Sequence, residues 1–277
     1  MTAVVSTIGV LDEPHENRGA SFLIATSIMA GRTLKKIIRS PQLLVAGTAQ
    51  GVMFLLIFRY IFGGAVGHLG AMSYVDFVAP GFVVTSGLFS AMSGATGIAE
   101  DLQDGLVDRL RSLPVPSMSI IWGRVAADTL FAIWGLAVTT AVSFAVGLRL
   151  HGSVAGGLEA FGVASLAAFA FCWLFVTLGF FAGSAQAAQS LAFVVFPLTF
   201  VSSAYVPIST MPEWMQSFAS RQPITLLVNT ARILTEGHAA TTALGHGAGY
   251  YFPAALVWVC AVVVVCGPLA RWRLRRS

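Results

Sequence analysis

The chain consists of apolar blocks about as long as a lipid bilayer is thick, parted by short polar breaks. A helix needs roughly 20 apolar residues to cross a hydrocarbon core of about 30 Å, where no water satisfies backbone groups left outside a helix or closed barrel. Six such blocks fall at about residues 43 to 62, 77 to 99, 126 to 147, 157 to 182, 190 to 206 and 250 to 269. Composition agrees, at 56% hydrophobic and only 10% charged, where an average soluble domain is about 25% charged. The expected fold is all-α and integral to the membrane, a single domain over residues 1 to 277 with six transmembrane helices. The fifth block is short and its sequel semi-apolar, so a broken or re-entrant element fits there.

An even number of spans puts both termini on one side, and the basic residues name that side. With the N-terminus inside, the inner segments hold Arg18, Arg32, Lys35, Lys36, Arg39, Arg109, Arg111, Arg124, Arg271, Arg273, Arg275 and Arg276. The outer loops hold only Arg149, Arg221 and Arg232. This is the positive-inside bias, and it makes both termini cytoplasmic. The net charge of +4 therefore reports orientation and attraction to anionic headgroups, not nucleic-acid binding. Residues 1 to 20 are polar and lack the apolar core of a cleavable signal peptide, so the first span is expected to be retained as signal and anchor together. Cys172, Cys260 and Cys266 all fall within spans and read as packing residues, with no disulfide indicated.

Three segments between or before the spans carry a pattern of their own. Over 22–39, Arg32, Lys35, Lys36 and Arg39 form a basic stripe opposite Leu23, Ala30, Leu34 and Ile37, which predicts a helix lying flat in the inner headgroup layer until Pro41 turns the chain into the bilayer. Over 100–113, Leu102, Leu106, Leu110 and Leu113 share one helical face, and Glu100, Asp101, Asp104, Asp108 and Arg111 share the other. A helix held between two spans and facing water can take force from a soluble protein and pass it to both. Over 207–240, Pro212 and Pro223 each open a short apolar helix too brief to span, which predicts a helical pair dipping into the outer leaflet.

Ionisable residues avoid the middle of the expected spans. Arg59 lies near the outer end of the first, Asp128 near the inner start of the third, and Glu159 near the outer start of the fourth. A proton-driven carrier needs an intramembrane relay, and an intramembrane enzyme needs converging acids, histidines or cysteines; neither is visible. His68, His151, His238 and His246 fall in outer loops without metal-ligand spacing, so no metal site is expected. A phosphate-binding loop is also missing, since Lys35 and Lys36 are the only lysines and neither follows a glycine. If ATP drives the protein, a separate chain hydrolyses it, contacting Glu100, Asp101, Asp104, Leu106, Asp108, Arg109, Leu110 and Arg111 on the inner face. Small and hydroxylated residues, Ser86, Ser90 and Ser93 in the second span with Thr199, Ser202 and Ser203 beside Phe200 in the fifth, suit either a path for an amphipathic substrate or plain close packing.

The chain resembles the membrane subunit of type-2 ABC exporters, particularly permeases of the daunorubicin-resistance kind. The resemblance rests on Phe77-Val-Ala-Pro-Gly81, on Gly105-Leu-Val-Asp108-Arg-Leu110 followed by Pro114, and on Val206-Pro207 with Met211-Pro-Glu-Trp214 and Pro223-Ile-Thr225. It implies a dimer of permeases in the bacterial inner membrane bound to two ATP-binding cassette subunits, which carry the ATP and magnesium, with no cofactor on this chain. It also implies that 100–113 is the coupling helix and that the pair after the fifth span caps the outer exit. The family often has Glu where Asp108 stands and Asn where Gln222 stands. From the residues alone two other classes stay open: a secondary carrier or channel working without an ATPase, and a membrane scaffold that recruits a soluble protein.

Overall fold

A computed structural model describes residues 21–63, 68–69 and 72–276; the expectations for residues 1 to 20 lie outside them. The first helix, α1 (Phe22–Ile38), is followed by α2 (Pro41–Ile57), which opens on its proline and runs into a π-helical turn at Phe58–Phe62. A two-residue antiparallel hairpin, β1 (His68–Leu69) with β2 (Met72–Ser73), leads to α3 (Tyr74–Gln103). Ser73 caps α3 by accepting from the Asp76 backbone N–H at 3.2 Å while its hydroxyl donates to Asp76 Oδ2 at 2.6 Å. Then come α4 (Leu106–Arg111), α5 (Met118–Val146) and α6 (Val154–Ala182). The short helices α7 (Ala185–Phe193), α8 (Val195–Phe200), α9 (Glu213–Arg221), α10 (Pro223–Glu236) and α11 (His238–Leu244) precede the last long one, α12 (Ala248–Arg276).

Five helices among the described residues are long and apolar enough to cross a membrane: α2 with its π turn, α3, α5, α6 and α12. The fifth expected span, where a broken or re-entrant element is expected, is not a continuous helix. Residues Ala185–Phe200 form a short apolar stretch, split between α7 and α8 at Val194 and ending in turns at Val201 to Tyr205. Its sixteen residues reach about 24 Å, short of the hydrocarbon core.

Helix α3 is the axis of the bundle. Within its apolar window 89% of residues are buried inside the protein, against 11% for α2 and 17% for α12. A lipid-embedded bundle has no water-driven collapse, so helices approach where small residues leave room. Gly179 of α6 lies against the Ala95 carbonyl and Ile98 of α3, and Gly123 of α5 lies against Met29 of α1. The outer helices show apolar faces instead, with Met53 on α2 and Val257, Val264 and Val265 on α12 all more than half exposed.

The α1 helix turns one narrow stripe to the bundle, and of the expected apolar face only Ile37 is on it. Ala25, Met29, Thr33 and Ile37, spaced four apart, are buried, and α1 packs along α5. Leu23, Ile24, Ile28 and Ile38 stay exposed. Gly123 of α5 lets the α1 backbone come close at Met29 and Ala30.

Candidate functional site at the two ends of the central helix

At one end of α3 the expected helix over 100–113 is two elements. Glu100 to Gln103 complete α3, the chain turns at Gly105 with φ 66°, and α4 begins at Leu106. That left-handed conformation suits a residue without Cβ. Val107 is buried, Leu106 and Leu110 are half-buried, and Asp104, Asp108, Arg109 and Arg111 face outward. The Asp108 and Arg111 charges lie 3.9 Å apart along the surface.

The carboxylates before the turn face their own chain. Asp101 Oδ2 accepts from Arg124 Nη1 at 3.4 Å and lies 3.8 Å from Arg32 Nη2. Glu100, half exposed, pairs with Lys36 at 3.3 Å. Behind them Arg124 Nε donates to Asp128 Oδ2 at 2.7 Å, with both residues buried. Thus α1, α3 and α5 are joined by ion pairs at the point where α4 departs. Taking two charges out of water is costly unless they are paired and hydrogen-bonded, which this pair largely achieves. The expectation that Asp128 lies near the start of its span is corrected here. Helix α5 begins at Met118, not near 126, so Asp128 sits about 15 Å along it.

A cavity of about 300 Å³ opens beside this network. Its walls include Gln50, Phe89, Ser93, Thr96, Arg124 and Asp128. Of the residues proposed to line a path, only Ser93 borders it. The Ser86 and Ser90 hydroxyls donate to the carbonyls of Val83 and Gly47 at 2.7 and 2.9 Å, and Thr199 donates to Phe196 at 2.7 Å. Ser202 donates to the Thr199 carbonyl. Phe200 is partly exposed and joins an aromatic cluster with Phe54, Phe196 and Tyr205.

The opposite end of α3 carries a second polar knot. Arg232 of α10, expected in an outer loop, is fully buried. It donates from Nε to the Phe77 carbonyl at 2.9 Å, from Nη1 to Asn229 Oδ1 at 2.8 Å and from Nη2 to the Ser203 carbonyl at 2.8 Å. Ser203 itself donates from Oγ to Asn229 Oδ1 at 2.7 Å and from its backbone N–H to Thr225 Oγ1 at 3.1 Å. Gln222 Nε2 donates to the carbonyls of Leu198 and Val201. Gly81 lies directly on the Ala204 backbone. Two of the sequence motifs, Phe77 to Gly81 and Pro223 to Thr225, therefore meet through the turn after α8.

Beside this knot, His151 Nδ1 lies 2.8 Å from Glu236 Oε2. Burial pushes the Glu236 carboxyl up to about 7, and the hydrogen bond to Glu236 holds the His151 imidazole above its usual range. Sequence reasoning passed over Arg124, Asn229, Arg232 and Glu236. The one available signal was an arginine and an acid four apart, at Arg124 and Asp128 and again at Arg232 and Glu236.

The family model described as ABC-2 type transporter matches residues 25–235. The chain belongs to the ABC-2 type transporter family. Among its relatives, the daunorubicin resistance ABC transporter permease protein of Streptomyces coeruleorubidus is 28% identical over 83% of this chain and 81% of the relative. A probable doxorubicin resistance ABC transporter permease protein of Mycobacterium tuberculosis is 22% identical over 92% of this chain and 90% of its own length. An inner membrane transport permease of Escherichia coli is 24% identical over 69% and 74%. This ABC-2 chain is thus a multi-pass membrane protein similar to permease subunits, which are not themselves catalytic.

Proposed function

We propose that this chain is the membrane-spanning half of an ATP-driven exporter that releases an apolar or amphipathic molecule to the outside. Two permease copies work with two ATP-binding cassette subunits, which hold the ATP and magnesium. The observation that carries this reading is α4, a six-residue helix set off from α3 by a left-handed glycine, with Asp108, Arg109 and Arg111 exposed on it, Asp104 exposed just before the turn, and Val107 buried. Its outer face suits a soluble partner, and Leu106 and Leu110 border a cleft shared with Met29 of α1. The ion pairs among Arg32, Asp101, Arg124 and Asp128 would carry a push on α4 into α1 and α5 together.

In this reading the α4 end is cytoplasmic, α1 lies in the inner headgroup layer, and the broken α7–α8 segment completes a sixth crossing with its turns, leaving both termini inside. Helices α9 and α10 then form the outer re-entrant pair that closes the exit. Ser93 and Phe200, which are exposed, flank the path that opens when the two copies part, and the buried Ser86, Ser90, Thr199, Ser202 and Ser203 brace the helices behind them. Differential contacts in the two states are what make such a cycle transport and not mere binding.

The test is reconstitution in vesicles with the cognate ATPase and a hydrophobic fluorescent cargo such as an anthracycline. Cargo movement that needs ATP and both subunits is expected. Ion-gradient-driven movement by this chain alone would replace the reading with that of a secondary carrier, and ATPase recruitment without movement would leave a scaffold.

A further inference from the structure

The loop between α5 and α6, the first turn of α3 and the last turn of α10 bring three metal-ligand side chains to one point. His151 Nδ1 lies 2.8 Å from Glu236 Oε2 and 3.9 Å from Asp76 Oδ2, and one donor atom from each residue lies within 4.8 Å of the others. Asp76 and Glu236 are buried, whereas the His151 side chain is 55% exposed and gives access from outside. We propose that Asp76, His151 and Glu236 form a binding site for a divalent transition-metal ion, with zinc the best fit.

The donor set argues for such an ion. One imidazole nitrogen and two carboxylate oxygens suit zinc and its neighbours, where magnesium and calcium prefer oxygen alone. Zinc bonds of about 2.0 to 2.2 Å in a tetrahedron hold ligand atoms about 3.4 Å apart. The separations of 2.8 and 3.9 Å from His151 bracket that value, so ligation by these groups needs shifts of about an ångström.

A second, independent observation is Glu236 Oε1. It is buried and has no hydrogen-bond partner among the described residues. A buried acceptor left unpaired is costly, and a metal held through both oxygens of this carboxylate would satisfy it. The nearby cation is already engaged, since Arg232 donates to Phe77, Asn229 and Ser203. Outer-shell support is present as well. Asp76 Oδ1 accepts from the Arg149 backbone N–H at 3.2 Å, and its Oδ2 accepts from Ser73 Oγ at 2.6 Å, which fixes the carboxylate plane. Occupation would clamp the end of α10 to the start of α3 and to the loop after α5.

This inference does not depend on the transport reading. The full chain, purified in detergent without a polyhistidine tag, is titrated with zinc alone and followed by calorimetry and thermal unfolding. One zinc per chain is expected, with a rise in the unfolding temperature that magnesium does not produce. His151→Ala, at an exposed position, and Glu236→Gln, an amide of the same shape, should each weaken zinc binding at least tenfold. His238→Ala and His246→Ala should leave it unchanged. No zinc-induced shift in the unaltered chain, or a shift that survives in both H151A and E236Q, overturns the proposal and leaves an ordinary histidine–carboxylate pair.

Discussion

Arg232 reaches 155 positions back along the chain to Phe77, donating to its carbonyl at 2.9 Å and placing its guanidinium 3.8 Å from the centre of its ring. The contact joins α10 to the first turn of α3, so a short helix outside the main bundle is fixed to the bundle's axis.

Replacing Arg232 with Met takes the side-chain donor from the Phe77 and Ser203 carbonyls in a buried site, while Asn229 Oδ1 keeps only the Ser203 hydroxyl. Each unpaired acceptor costs about 1 to 3 kcal/mol, so a loss of about 3 kcal/mol or more is expected in thermal or denaturant unfolding in micelles. Lys should rescue little of it, because an ammonium lacks the planar fork that reaches three acceptors at once. Full stability in R232K would show that charge alone matters here.

Two glycine substitutions should differ. At Gly81 a Cβ would overlap the Ala204 carbonyl, a backbone group with little freedom to yield, so Gly81→Ala is expected to cost about 1 to 3 kcal/mol and to loosen the turn after α8. At Gly105 nothing lies within 4 Å, and only the left-handed backbone resists. Gly105→Ala should therefore cost about 1 to 2 kcal/mol and leave the bundle unchanged. Limited proteolysis of the segment after Phe200 separates the two cases.

The acids near α4 divide into two classes. Reversing Asp104 and Asp108 together to Lys should abolish stimulation of the partner ATPase with little change in unfolding temperature, since both side chains are exposed. Asp101→Asn should do the opposite, lowering stability by loosening the contacts of Arg124 and Arg32. Co-purification with the ATPase and its turnover report the first class, and melting curves report the second. Unchanged coupling in the double reversal would remove α4 from the drive train.

The buried Arg124–Asp128 pair invites a double-mutant cycle. Removing Arg124, as in Arg124→Met, should destabilise by about 3 to 5 kcal/mol because the buried Asp128 charge stays behind uncompensated, whereas Asp128→Leu leaves Arg124 its contact with Asp101. The double variant R124M with D128L should be less destabilised than R124M alone. Additive losses would show that the two charges are not coupled.

The long helices were legible because bilayer thickness imposes a length that a hydropathy pattern records directly, and α3, α6 and α12 lie close to their expected blocks. The α5 start was misplaced because Gly123 and Arg124 lower the local hydropathy, although Arg124 finds its partners inside the bundle. The fifth block was legible as a broken element but not in where it breaks, because an apolar run does not reveal where the chain turns; the turns from Val201 on are held by Gln222 and Thr225 at the start of α10. The α4 turn was hidden for the opposite reason, since the leucine spacing continues through Gly105 as though the helix did. The polar knot around Arg232 was the least legible part. Its partners come from α3, the turn after α8 and α10 itself, and only the folded chain brings Phe77 and Ser203 together.

The unbroken course of α3 has a mechanical consequence. Apart from Pro80 in its second turn, its 30 residues form a single rod of about 45 Å, one end seated beside Arg232 and the other carrying Gly105. Such a rod tilts as a body and does not bend in the middle. A small swing at the Gly105 end must reappear at the Arg232 end, so in the proposed transport cycle the coupling end and the exit are geared to each other by the stiffness of one helix.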